Sequence, residues 1–149
     1  MRDRDVRNAI HDQLVATGAF DGVWIWGPPE DYGTAASSLA AVAIEPESGS
    51  QEDRWDAGPN IGLEITGRVT LIFYSRNDDP QLRDEAVERL LYTAADALQG
   101  QCLAGLTVCD RTRFTSWNWQ PATAPERRIV SKFTYTYLVS GWERLDDSE

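Results

Sequence analysis

The sequence predicts an α+β domain in which two helices pack on one face of a mainly antiparallel, strongly twisted β-sheet, with a long strand or hairpin projecting from it. Three observations carry this. From Ile61 to Tyr74 apolar and polar residues alternate, with Ile61, Leu63, Ile65, Val69, Leu71 and Phe73 on one side and Glu64, Thr66, Arg68 and Thr70 on the other. Two segments, near the start and after Asn77, carry apolar residues at helical spacing. The last third returns to aromatic and β-branched residues around a proline-marked turn. Helices and sheet strands in this order fit helices gathered on one side of an antiparallel sheet.

The first helix is expected over Arg2 to Thr17. Val6, Ile10 and Leu14 recur every four residues, Ala9 widens the stripe, Asp3 or Asp5 sits in the first turn, and Gly18 is the stop. Val23-Trp-Ile-Trp26 reads as a short aromatic strand ended by Gly27-Pro-Pro. Residues 27 to 37 read as loop. Leu39 to Glu45 reads as a strand closed by Pro46, and Ser48 to Asn60 as a polar loop containing Trp55. The second helix has the strongest signals: Asp78 or Asp79 as cap, Pro80 in the first turn, a stripe of Leu82, Val87, Leu90, Leu91, Ala94 and Leu98, and Gly100 as the stop.

From Leu106 the pattern is again that of a strand, with Thr115, Trp117 and Trp119 on one face and Phe114, Ser116 and Asn118 on the other. Gln120 to Glu126 forms a turn, and Arg128 to Val139 is the last strand, the pair making an antiparallel hairpin. Residues 1–142 are read as one domain and 143–149 as an acidic, frayed tail.

At about 3.3 Å per residue, the strand from Ile61 to Tyr74 would reach roughly 45 Å, well beyond the usual five or six residues. It outruns the core of so small a domain. Strand that leaves its own core must pair or pack with something, so assembly is the first functional expectation.

Composition narrows the function classes. Net charge is −10, from 24 acidic and 14 basic residues, and Lys132 is the only lysine, which argues against a phosphate-binding surface. No stretch approaches the roughly 20 apolar residues of a membrane span, and the charged start lacks a signal peptide's apolar run, so a soluble protein held in the cytoplasm is expected. Cys102 and Cys109 lack the spacing of a zinc site and are read as small buried residues; His11 has no catalytic setting and is read as a surface residue.

No nucleophile–base pair, glycine-rich phosphate loop or metalloprotease motif is present. No catalytic residue and no cofactor is therefore expected. Glu45, Glu47, Glu52 and Asp53 are only a weak signal for a divalent ion. The six tryptophans are a surplus, and Trp117-Asn-Trp119 on a strand suits a core or a subunit interface better than a base-stacking platform, which needs a basic groove.

This layout resembles the phage tail terminator family, the lambda-type minor tail proteins. The likeness rests on an N-terminal helix of the type Val6-Arg-Asn-Ala-Ile10-His-Asp-Gln-Leu14 and a strand like Leu39 to Ile44 before a polar, Trp-containing loop. The long strand Gly62 to Phe73, a proline-initiated helix and the aromatic ending Phe133-Thr-Tyr-Thr-Tyr-Leu-Val139 complete it. It covers residues 2 to 142 and rests on order, lengths and pattern, with no invariant motif.

The resemblance implies a ring, commonly a hexamer, that caps the tail tube, ends its polymerisation and offers a surface for joining the head through a neck or head-completion protein. It implies a place in the virion tail after assembly in the host cytoplasm, with DNA passing an acidic lumen without specific binding. Candidate subunit or tube contacts are Trp55, Glu64, Arg68, Trp117 and Trp119. The chain departs from the lambda-type pattern in its longer loop at Gly27 to Ser37 and in its proline-flanked hairpin. The alternatives are a related neck, tail-completion or injection-system adaptor protein, and a small-ligand-binding or enzymatic domain with a pocket near Trp24, Trp26 and Trp55.

Overall fold

The computed structural model describes residues 3–28, 39–55, 61–99, 112–123 and 125–139, with the strand segments 48–55, 61–65 and 137–139 described by their backbone alone. The elements run α1 (Asp3–Ala16), β1 (Gly22–Ile25), β2 (Leu39–Trp55), β3 (Ile61–Arg76), α2 (Pro80–Leu98), β4 (Arg113–Trp119) and β5 (Glu126–Val139). One five-stranded sheet has the order β1-β2-β3-β5-β4, with β1 and β4 at its edges among the described residues; only β1 and β2 pair in parallel. The expected α+β class holds. Among the described residues no helix is long and apolar enough to cross a membrane.

Both helices lie on one face of the sheet. Val6, Ala9, Ile10 and Leu14 of α1 join Val87, Leu90, Leu91, Ala94 and Leu98 of α2 over Val42, Ile44, Val69, Leu71, Phe73, Ile129 and Phe133 of the strands. This period-of-two selection from the strands and period-of-3.6 selection from the helices is the alternation expected from the sequence. Phe114 closes the core at its β4 side, its ring 5.0 Å from Phe133 and 6.4 Å from Phe73. Ser131, buried among these side chains, donates its hydroxyl to Leu71 O at 2.8 Å, so its polarity is satisfied.

Helix ends follow their chemistry. The Asp79 carboxylate accepts from the backbone N–H groups of Gln81 (2.9 Å) and Leu82 (3.4 Å), and Pro80 follows it where a helix has no need of the missing N–H. Gly18, at φ 71, takes the left-handed conformation that ends α1. Leu82 corrects the expected α2 stripe: it is 53% exposed, and the inward position of the first turn belongs to Arg83. The buried set 83, 87, 90, 91, 94 and 98 is one continuous helical face, and position 82 lies about 100° off it.

β2 is the largest correction. Instead of closing at Pro46, it continues to Trp55, pairing with β3 from Leu39↔Arg76 down to Trp55↔Ile61, with the register shifting between Pro46 and Ser48. The expected loop from Ser48 to Asn60 is strand as far as residue 55, and residues 56–60 lie outside the described residues. β1 explains the tolerance of proline. It accompanies β2 only to Ile44, so from there β2 is an edge strand among the described residues, and a residue without an N–H is accepted on such an edge or at a bulge.

The result is one long antiparallel ribbon of β2, β3 and β5. β3 pairs with β2 from Arg76 to Ile61 and with β5 from Arg76 to Leu63, a ribbon about 50 Å long at about 3.3 Å per residue; Val69, Leu71 and Phe73 stand in the helix-side core, as does Tyr135 opposite Gly67. Gly67 marks a close approach within the ribbon. The Tyr135 ring lies where a Gly67 side chain would stand, so glycine here lets an aromatic ring cover the backbone.

The expected loop at 27–37 from residue 29 on, the expected strand from Leu106 to 111, Cys102, Cys109, the Gly100 stop and the acidic tail 143–149 lie outside the described residues.

Candidate assembly surfaces

The sheet face away from the helices is built from the alternate residues of the same strands. At its β1–β2 end Ala41, Ala43 and Tyr74 are buried beneath Trp24, Leu39 and Ile72, with Trp24 and Tyr74 ring centroids 5.9 Å apart. At its centre lies a polar cluster. Glu47, the extra residue at the β2 bulge, meets Lys132 Nζ at 3.0 Å, accepts from Thr70 Oγ1 at 3.2 Å and lies 3.8 Å from Arg68 NH1; Lys132 also donates to Thr70 at 3.1 Å.

One carboxylate thus ties three neighbouring strands together at the β2 bulge. The Lys132 hydrogen bond is the largest influence on the Glu47 carboxyl. With the Thr70 hydroxyl and the charges of Lys132 and Arg68 it holds the group below its ordinary value of 4.5, against the opposing effect of burial. Among the described residues no group of three or more His, Cys, Asp or Glu is placed to hold a metal ion.

The β4 edge is aromatic and basic. The expected division of its side chains is corrected: Phe114, Trp117 and Trp119 stand opposite Phe133, Ser131 and Ile129, all residues of the helix-side face. A register shift between Phe114 and Ser116 inserts Thr115 and reverses the phase, which simple alternation cannot anticipate. Trp117 is 52% exposed and Trp119 38%. The Arg127 guanidinium lies 5.0 Å from the Trp119 ring centre, and its enclosed Nε makes no hydrogen bond among the described residues, so the indole face is its observed support.

The opposite edge carries another exposed indole. Trp26 is not strand, as expected, but the residue after it, at φ 77, with Gly27 following at φ 116. For a bulky residue the left-handed region costs about 1–2 kcal/mol. It is pinned there because its N–H donates to Ile44 O at 3.0 Å, the same bond that ends β1 pairing. Its side chain is 68% exposed, with the Arg7 guanidinium 5.1 Å from the ring centre.

An open groove of about 450 Å³ lies near the other edge, lined by Ile72, Pro121, Thr123, Glu126, Arg128 and Val130. Glu126 is fixed there by Arg76 at 3.2 Å and Arg128 at 2.7 Å.

The sequence-predicted contact residues divide into separate places. Arg68 belongs to the Glu47 cluster on the open face, whereas Trp117 and Trp119 share the helix-side face of β4. Trp55 pairs with Ile61 at the far end of the ribbon, and Glu64 stands opposite Glu52 and Leu138; both side chains lie outside the described residues. Sequence reasoning named Glu47 only as part of a weak divalent-ion signal and missed its cluster with Arg68, Thr70 and Lys132, and it missed Trp26 as an exposed knob. Lys132 had one available signal, being the only lysine in the chain.

No protein-family model matches the chain, and no curated protein matches it. Solved structures match its fold. One is a chain from a structure described as the virion of a native gene transfer agent particle, with a TM-score of 0.51 and 17% identity, the match covering 87% of this chain and 92% of that one. At that identity the likeness is one of fold.

Proposed function

We propose that the chain is a structural protein of a phage-like particle and that its post is tail termination. In this reading, identical copies form a ring, six as in the family it resembles. The ring caps the tail tube, ends tube polymerisation and presents the surface to which a neck or head-completion protein binds. DNA passes the acidic lumen without specific binding, the work is done without catalysis, and assembly in the host cytoplasm leaves the protein in the virion tail. The observation that carries the reading is the long β2–β3–β5 ribbon, in which β3 alone runs 16 residues, about 50 Å, in a sheet that is not closed among the described residues. The fold likeness to a chain of a gene transfer agent virion, spanning most of both chains, supports it.

Trp55 and Glu64 on the ribbon, Arg68 at its root and Trp117 and Trp119 on the β4 edge are the proposed subunit or tube contacts. Electron microscopy of the purified protein, alone and mixed with tail tubes, tests the reading. Closed rings with a central hole, free or seated on tube ends, are expected; a chain that stays single at high concentration and leaves tube ends bare would count against it.

A further inference from the structure

We propose that copies of this chain join edge to edge, the exposed Trp26 of one seating in the open groove beside β5 of the next. The inference rests on the ring reading above and gives it a contact. β1, which Trp26 follows, and β4, which with β5 frames the groove's turn, are opposite edges of the sheet. A contact between different surfaces of identical copies is the heterologous type, and that type closes rings when the rotation fits.

The two surfaces match in shape and chemistry. Trp26 is 68% exposed and its backbone is fixed by the bond to Ile44 O, so the indole is presented on a rigid stem. The groove, at about 450 Å³, lies within the about 300–1,000 Å³ of sites that enclose organic groups. Ile72, Pro121 and Val130 offer apolar walls, Arg128 a cation for an indole face, and Thr123 and Glu126 acceptors for the indole N–H.

Charge favours the same pairing. The β4–β5 hairpin, residues 113–139, holds Arg113, Arg127, Arg128 and Lys132 against Glu126, a net +3 in a chain of −10. The remainder is then −13. The segment carrying the knob, residues 3–28, has Asp3, Asp5, Asp12 and Asp21 against Arg4 and Arg7, a net −2. A basic hairpin on an otherwise acidic chain finds its complement on another copy of that chain.

The test uses two variants at exposed positions. Trp26→Ala removes the knob and leaves the groove; Thr123→Arg obstructs the groove and leaves the knob. Each alone should weaken self-association at least about tenfold, as loss of a buried tryptophan anchor does. Mixed one to one, the two should form dimers, since the intact knob of one meets the intact groove of the other. Sedimentation velocity reads this, with far-ultraviolet circular dichroism and cooperative unfolding like those of wild type showing that both fold. A photo-crosslinking residue at position 26 should in addition join residues 119–130 of a second copy.

Rings that persist in Trp26→Ala, no dimer in the mixture, or cross-links mapping elsewhere would overturn this contact while leaving tail termination standing. Wild-type protein that neither self-associates nor binds tube ends would overturn both.

Discussion

The two faces of the sheet are made by alternate residues of the same strands, yet they are put to different uses. On the helix side Leu71, Phe73, Ile129 and Phe133 are fully buried under α1 and α2. On the other side their immediate neighbours, Thr70, Ile72, Val130 and Lys132, form a face of mixed polarity with no helix over it among the described residues. Apolar burial is concentrated on one side of β3 and β5, and Ile72, Val130 and Lys132, one position along, stay partly exposed and available for contacts. Removing a residue from the first face should damage the fold, whereas removing one from the second should damage assembly.

Phe73→Ala sharpens that comparison most. It should cost about 3–5 kcal/mol in a urea titration, because a ring in contact with Phe20 and Phe114 leaves a cavity at the centre of the core. Ile72→Ala, one residue along, should cost less than half as much. Equal losses at the two positions would show that the open face is as tightly packed as the other.

Gly67→Ala comes next. The new methyl group meets the Tyr135 ring, and relieving the overlap should cost about 1–3 kcal/mol. A neutral result would mean that the ribbon's root is looser than the packing of Tyr135 implies.

The smallest expected effect is that of Glu47→Gln, below about 1 kcal/mol, since the ion pairs it weakens are partly exposed. Its value lies in the pH dependence. The Glu47 carboxyl is held below 4.5 in the folded state, so its stabilisation is present above that value and is lost as pH falls through the lower folded one. Wild type and Glu47→Gln should therefore differ near neutrality and converge in acid. A constant difference would show that the cluster's charge plays no part.

Much of the helix-side face was legible in the sequence, because burial there is written as period. Val87, Leu90, Leu91, Ala94 and Leu98 mark α2, and Val69, Leu71 and Phe73 mark β3. Errors arose where a neighbour rather than local composition decides the structure. The polar run after Pro46 reads as loop, but it is strand because β3 supplies its partner and β1 has already ended. Trp117 and Trp119 changed sides because one inserted residue, Thr115, shifted the phase. The candidate surfaces were less legible still. Glu47, Arg68 and Lys132 come from three strands, and only the register brings them together.

The most direct test of the central claim is the mass of the purified chain in solution across a wide concentration range. A closed assembly of fixed size, six subunit masses with no larger species growing beyond it, is the predicted result. A single subunit mass at every concentration, or an open-ended series of ever larger species, would contradict a sheet whose free edges are completed by identical neighbours in a ring.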